Sequence, residues 1–230
     1  MLREDPELAE AIPEERRGQA VRDCTAREIV VASAEDDAAA MPEGGIGLLV
    51  LDGLLVRRVG IAERYGAELL GEGDLLRPWQ DQRDVPTLPL RTGFSVVEPV
   101  HLAVLDRDFV QHLSSYPELV CSFVDRVMER SRHLAVNMAI VHQPRVGVRL
   151  NMLFWHLAGR WGRVRREATV VPLRLTHAVL AQLVAARRPT VSSALSDLAR
   201  RNLLISRGDE WLLTGEAPGE LLDIDRIATG

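Results

Sequence analysis

From Leu175 to Thr214 the chain reads LTHAVLAQLVAARRPTVSSALSDLARRNLLISRGDEWLLT, and its apolar positions spell two short helices followed by a hairpin. Thr176 is a helix-starting hydroxyl, and Leu180, Leu183 and Val184 share one apolar face behind it. Ala181 is small enough for a second helix to cross close by. Ala185 to Arg187 has the length of a helix-turn-helix turn. Pro189 suits the first turn of the next helix, where its missing N–H would have no partner anyway. That helix turns Val191, Ala194, Leu195 and Leu198 inward. Arg188, Thr190, Ser192, Ser193, Ser196 and Arg200 lie on its other face. Leu203 to Ile205 and Trp211 to Leu213 then predict two strands about the turn Arg207-Gly208-Asp209.

A different pattern occupies the middle. Pro117 and Glu118 open a long helix in which Val120, Val124, Val127, Ser131, Leu134, Met138 and Val141 recur at spacings of 4, 3, 4, 3, 4 and 3. Such a seam predicts a coiled-coil contact between two copies. The alternative is a long core helix packed within one chain, since heptad and 3.6-residue periods overlap over so short a span. A second row, Leu119, Phe123 and Ala135, is assigned to the protein's own first domain.

Before that helix, residues 24–106 are short β-type runs. Ile46–Leu51 and Leu54–Val59 flank Asp52-Gly53 and predict a hairpin. Gly93–Pro99 and Val100–Leu105 predict two more strands, and Gly71-Glu72-Gly73-Asp74 a turn. Many strands before any long helix imply a compact barrel or jelly roll. The first residues, MLREDPELAEAIPEERRGQ, are acidic and lack an apolar signal core, so they predict a loose or helical lead-in.

Charge sharpens the division. Residues 144–208 hold twelve arginines against only Glu167 and Asp197, whereas residues 1–143 hold fifteen arginines against twenty-five acids. The formal net charge of −5 therefore hides an acidic first part and a basic second part suited to a polyanion. No lysine occurs, which reflects coding bias first and bidentate phosphate binding second. Short hydroxyls and arginines on one helix face suit a major groove, where phosphates and base edges both need donors. The competing reading is a pair of core helices with solvated arginines.

Other chemistry finds little support. Cys24 and Cys121 lack a C-x-x-C partner and read as buried, reduced thiols, with a redox role for Cys121 as the alternative. The six histidines show neither H-x-H nor H-E-x-x-H spacing, no G-x-S-x-G turn occurs, and no cofactor is implied. Trp79, in the polar stretch LRPWQDQRDVP, reads as pinning its loop to the barrel, the alternative being a cover over a ligand. Trp155 and Trp161 read as core residues. No apolar run reaches the roughly 18 residues of a membrane span, so no span is expected, and the unpaired, reduced thiols point to the cytoplasm.

This layout resembles the CRP/FNR family of bacterial transcription regulators over most of the chain. The most specific portion is residues 175–205, where Arg188, Thr190 and Val191 match the family's recognition-helix start, Ser-Arg-x-Thr-Val. Pro189 and Ser193 depart from the residues that cyclic-AMP receptor proteins carry there, so the operator is expected to differ. The resemblance implies an α+β chain. Residues 1–106 would hold a jelly-roll, cyclic-nucleotide-binding-like β-roll, 107–143 a dimerisation helix, and 144–230 a winged helix-turn-helix. It implies double-stranded DNA and a second copy as partners, with RNA polymerase and an unidentified small-molecule effector as further candidates. Arg187, Arg188, Arg200 and Arg201 become candidates for phosphate or base contacts, and Thr190, Ser192 and Ser193 for base edges. Arg77-Pro78 stands where cyclic-nucleotide binders carry Gly-Glu, and only Arg91-Thr92 can supply their phosphate-gripping pair. Cyclic AMP is therefore not the expected effector. Arg77 and Arg91 together are candidates for some other anion. The rival classes are a cyclic-nucleotide-responsive regulator and a β-roll enzyme or carrier that does not bind DNA.

Overall fold

The computed structural model describes residues 1–32, 44–61, 64–77 and 90–217. Pro78 and Trp79 lie outside the described residues, so the loop-pinning expectation does too. The chain forms two compact units, Met1–Leu134 and Ala135–Gly230.

The first unit opens with α1 (Pro6–Glu10) and α2 (Glu14–Asp23). There follow β1 (Arg27–Val31), β2 (Gly47–Ile61), β3 (Arg64–Leu70), β4 (Leu75–Leu76) and β5 (Leu90–Leu105). They make an antiparallel sheet in the order β1-β5-β2-β3, with β4 on β2. Then come α3 (Arg107–Leu113) and the long α4 (Pro117–Val141), whose residues from Ala135 onward belong to the second unit.

The expected hairpin at Asp52-Gly53 is corrected: β2 runs straight through it. The register with β5 slips between Val50 and Leu55, and Gly53 has φ 90°, so the pair is a bulge, not a turn. A Cβ at Gly53 would run into the Pro99 carbonyl, which explains the glycine. The two strands expected between Gly93 and Leu105 are likewise one strand. Pro99, which cannot donate to a ladder, is accommodated because it falls opposite that bulge.

Successive residues of β2 and β5 point to opposite faces, and both faces are covered. Leu48, Val50, Leu55, Leu70, Val100, Leu102 and Val104 form one core. Leu49, Leu51, Leu75, Ala103 and Leu105 form another with Phe109, Leu113, Leu119 and Phe123. The N-terminal residues belong to this second core. Leu2, Leu8 and Ile12 are buried in it, each worth about 1.5–3 kcal/mol, so the acidic lead-in is a structural part of the first unit. Cys24 is buried as expected, but Cys121 is exposed on α4. Ala135, assigned to the inner row of that helix, is exposed as well.

The second unit contains α5 (Val146–Trp161), β6 (Arg163–Val164), β7 (Thr169–Val171), α6 (His177–Leu183), α7 (Arg188–Arg200), β8 (Leu204–Arg207) and β9 (Glu210–Leu213). Its sheet order is β6-β7-β9-β8. The aromatic core is Phe154 against Trp211, with ring centroids 4.7 Å apart. Trp155 and Trp161, expected in the core, are only half-buried, and Trp161 instead carries the Arg160 guanidinium over its ring. Among the described residues no helix is long and apolar enough to cross a membrane.

Candidate nucleic-acid interface

The two ends of α6 explain its shortness. The Thr176 hydroxyl accepts from the Val179 N–H at 3.2 Å and caps the start. At the other end Ala185 adopts φ 49°, the Ala186 N–H bonds the Ala181 carbonyl at 2.9 Å, and the Ala185 N–H bonds that of Gln182 at 3.2 Å. This is a Schellman stop built on alanine where glycine is usual. It reverses the chain within Ala185–Arg187 and delivers it to α7.

Helix α7 stops in the same way. Asn202 takes φ 54°, and the Leu203 and Asn202 N–H groups each bond back at 3.0 Å to Leu198 and Ala199. Between these stops Val191, Leu195 and Leu198 are buried, while Ala194 is half-buried. Their burial fixes the rotation of α7. Arg188, Thr190, Ser193, Ser196 and Arg200 are consequently exposed, as is Arg187 at its N-cap.

The candidate side chains divide into two ends and a middle. Arg187 and Arg188 sit at the start of α7, where no acidic residue occupies the first turn and no side chain caps it. Two cations at the positive end of a helix dipole are unfavourable alone and favourable once an anion arrives. Arg200 and Arg201 stand about 18 Å further along the axis. Arg200 is engaged with Asp197 at 2.6 Å, and Arg201 is the C-cap residue. Among the described residues Arg187, Arg188 and Arg201 have no ion-pair partner. In the middle, Ser193 and Ser196 donate to the Pro189 and Ser192 carbonyls, leaving their oxygens as acceptors. Ser192 is half-buried and its hydroxyl lies 2.8 Å from His177 Nδ1, a contact that ties α6 to α7 and that no sequence pattern signalled. The turn Arg207-Gly208-Asp209 joins β8 to β9, with Gly208 at φ 63°, and Arg174 holds Asp209 at 2.7 Å. That hydrogen bond keeps the Asp209 carboxyl below its usual range.

The effector candidates are not brought together. Arg77 follows β4, which pairs with Leu48 and Leu49 at one end of β2, and its Nη2 donates to the Gly45 carbonyl at 2.7 Å. Arg91 and Thr92 are exposed and pair with Gly60 and Val59 at the other end of β2. Among the described residues no cluster of three or more His, Cys, Asp or Glu side chains is placed to hold a metal ion.

Comparison with known proteins agrees with this geometry. Residues 148–217 match the Crp-like helix-turn-helix domain. A cyclic nucleotide-binding domain containing protein from Listeria monocytogenes is 15% identical with a TM-score of 0.68, covering 90% of this chain and 96% of that one. A CooA variant from Carboxydothermus hydrogenoformans is 16% identical with a TM-score of 0.64, covering 92% and 90%. A CRP-family transcriptional regulator from Thermus thermophilus is 16% identical with a TM-score of 0.53, covering 88% and 97%. No curated protein matches the chain by sequence. The second unit thus carries a Crp-like helix-turn-helix domain. Over about nine-tenths of its length the chain shares the α+β fold of these proteins, which bears out the resemblance drawn from its layout and from residues 175–205.

Proposed function

We propose that this chain is a dimeric, CRP/FNR-type transcription regulator that inserts α7 into the major groove of double-stranded DNA. The observation that carries the reading is the exposed start of α7. There Arg187 and Arg188 stand without an ion-pair partner beside the exposed Thr190, at the uncapped start of a helix inside a Crp-like domain. Arg187 and Arg188 meet phosphate or a guanine edge, Thr190 and Ser193 meet base edges, and Arg200 and Arg201 meet the backbone at the far end. Ser192 positions α7 through His177 before it contributes any base contact.

The outer row of α4 supplies the dimer seam. Val120, Val124, Val127, Leu134 and Met138 are 38–63% exposed in the single chain, which is costly for so many aligned apolar side chains unless a second copy covers them. Ser131 is exposed in the same row, and Val141 is half-buried at its end. Two copies so joined present two recognition helices to successive major grooves about 34 Å apart.

Cyclic AMP is not the proposed effector, because Arg77 is turned to the Gly45 carbonyl and Arg91-Thr92 lies at the opposite end of β2. Calorimetry with cyclic AMP and cyclic GMP distinguishes the cyclic-nucleotide-responsive alternative. Gel filtration with a DNA duplex at two salt concentrations tests the main reading. A regulator co-elutes at low salt and releases as salt rises, whereas a β-roll carrier or enzyme elutes alone at both.

A further inference from the structure

The inner face of α4 does not stay apolar. Its row runs Leu119, Phe123, Arg126, Arg130, at spacings of 4, 3 and 4. Leu119 and Phe123 are buried in the second core. Arg126 grips Asp5 with both Nη atoms, while Asp5 also accepts from the Leu8 N–H and caps α1. Arg130 grips Glu68 of β3, Nε to Oε2 at 3.2 Å and Nη2 to Oε1 at 2.6 Å, and its Nη1 donates to the Leu75 carbonyl at 2.7 Å. Arg57 of β2 approaches the same Oε1 at 3.5 Å.

The Glu68 side chain is 8% exposed, so this is a nearly dry carboxylate between two guanidinium groups from different elements. Burying such a set adds little net stability, because desolvation offsets the attraction. Removing one partner is costly, because it strands the others. Without Glu68 the strand and the helix would present two facing, unneutralised cations. By its chemistry that spot is an anion site, and the chain fills it with its own residue.

We propose that Glu68 is an internal ligand: its carboxylate joins Arg57 to Arg130 and so closes α4 onto the β-roll with no added effector. The clamp fixes the rotation of α4, and therefore which row of that helix is offered to a second copy. The inference rests on the regulator reading only for its DNA readout.

Chemical rescue in the full-length protein tests it. In Glu68→Ala, hydrogen exchange of the α4 amides between Phe123 and Leu134 is expected to accelerate roughly tenfold or more. Added propionate is expected to restore the slow rate and propionamide is not, because only the anion neutralises both arginines. Glu68→Gln keeps the volume without the charge. It is expected to exchange fast with or without propionate, and it decides the matter should Glu68→Ala fail to fold. Unchanged α4 exchange in Glu68→Gln, or a folded Glu68→Ala that propionate does not rescue, overturns the proposal. The same variants lose DNA affinity in parallel, and for Glu68→Ala propionate returns it. An unaltered affinity beside faster exchange also overturns the clamp's control of the seam. A wild-type chain that ignores DNA refutes the regulator reading instead, and the exchange data still decide the role of Glu68.

Discussion

Arg149 of α5 donates from Nη1 to the Val184 carbonyl at 3.0 Å, while its Nε donates to the Gln143 carbonyl just beyond α4. One guanidinium therefore satisfies an orphan carbonyl at the negative end of α6 and fixes the segment that leads into α5. The same Nη1 also reaches the Ala185 carbonyl at 3.3 Å, inside the turn between the two helices. The turn from which α7 leaves therefore depends on this residue for a partner to its carbonyls.

Replacing it makes the dependence measurable. Arg149→Met keeps most of the volume and removes the charged donors, and is expected to cost roughly 1.5–3 kcal/mol. Denaturant unfolding followed by tryptophan fluorescence reads the loss well, because Trp155, Trp161 and Trp211 all lie in the second unit. DNA affinity is expected to fall with it.

The turn itself carries strain. Ala185 sits at φ 49°, a left-handed conformation that costs an L-residue about 1–2 kcal/mol and glycine almost nothing. No side chain contact is needed there, since Ala185 is exposed. Ala185→Gly is expected to raise stability by up to about 1 kcal/mol after glycine's larger unfolded-state entropy is subtracted. A lowered unfolding midpoint would contradict this account of the stop.

On α4 the exposed apolar row predicts the state of assembly. Val127→Glu, or Val124→Glu with Met138→Glu, places charge in the seam without touching Leu119, Phe123, Arg126 or Arg130. Sedimentation equilibrium is expected to show a dimer for the wild type and a monomer for the variants. Circular dichroism is expected to stay unchanged, since the inner row is intact.

In the first unit the Tyr116 hydroxyl donates to Asp23 at 2.7 Å. This bond pushes Tyr116 up to about 12 and holds Asp23 below its usual range. Tyr116 is raised, so its contribution is fully present below the unfolded value of about 10 and is lost as pH climbs toward 12. Asp23 is lowered, so its contribution holds above its usual value and is lost as pH falls through the depressed one. Burial also pushes the Cys24 thiol up to about 11, which adds to the alkaline loss. Unfolding midpoints measured from pH 7 upward are expected to drop steeply above about pH 10, and Tyr116→Phe is expected to flatten that limb.

How far these features could be read in the residues themselves depended on whether their cause was local. The start and stop of α6 and the start of α7 were legible, because Thr176, Pro189 and the short turn act within a few residues of themselves. So was the hairpin about Gly208. Strands β2 and β5 were not. Asp52-Gly53 and Pro99 each look like a strand end, and only their meeting across the sheet turns them into one bulge. The acids around Leu2, Leu8 and Ile12 hid three core residues, since composition averages over the few positions that face inward. The roles of Arg126 and Arg130 are hidden in the sequence for a related reason. Arginines four apart on a helix usually face water, and nothing near them in the chain announces Asp5 or Glu68.

The central claim is that two joined copies read DNA through the start of α7, and selection of bound sequences from a random duplex pool tests it most directly. The account predicts an enriched inverted repeat whose half-sites lie about one helical turn, or roughly 34 Å, apart. It also predicts that Arg188→Ala weakens binding to that site by about 1–3 kcal/mol and relaxes one position in each half. A pool that returns no enriched motif, or a single unrepeated half-site bound equally well by Arg188→Ala, would contradict it.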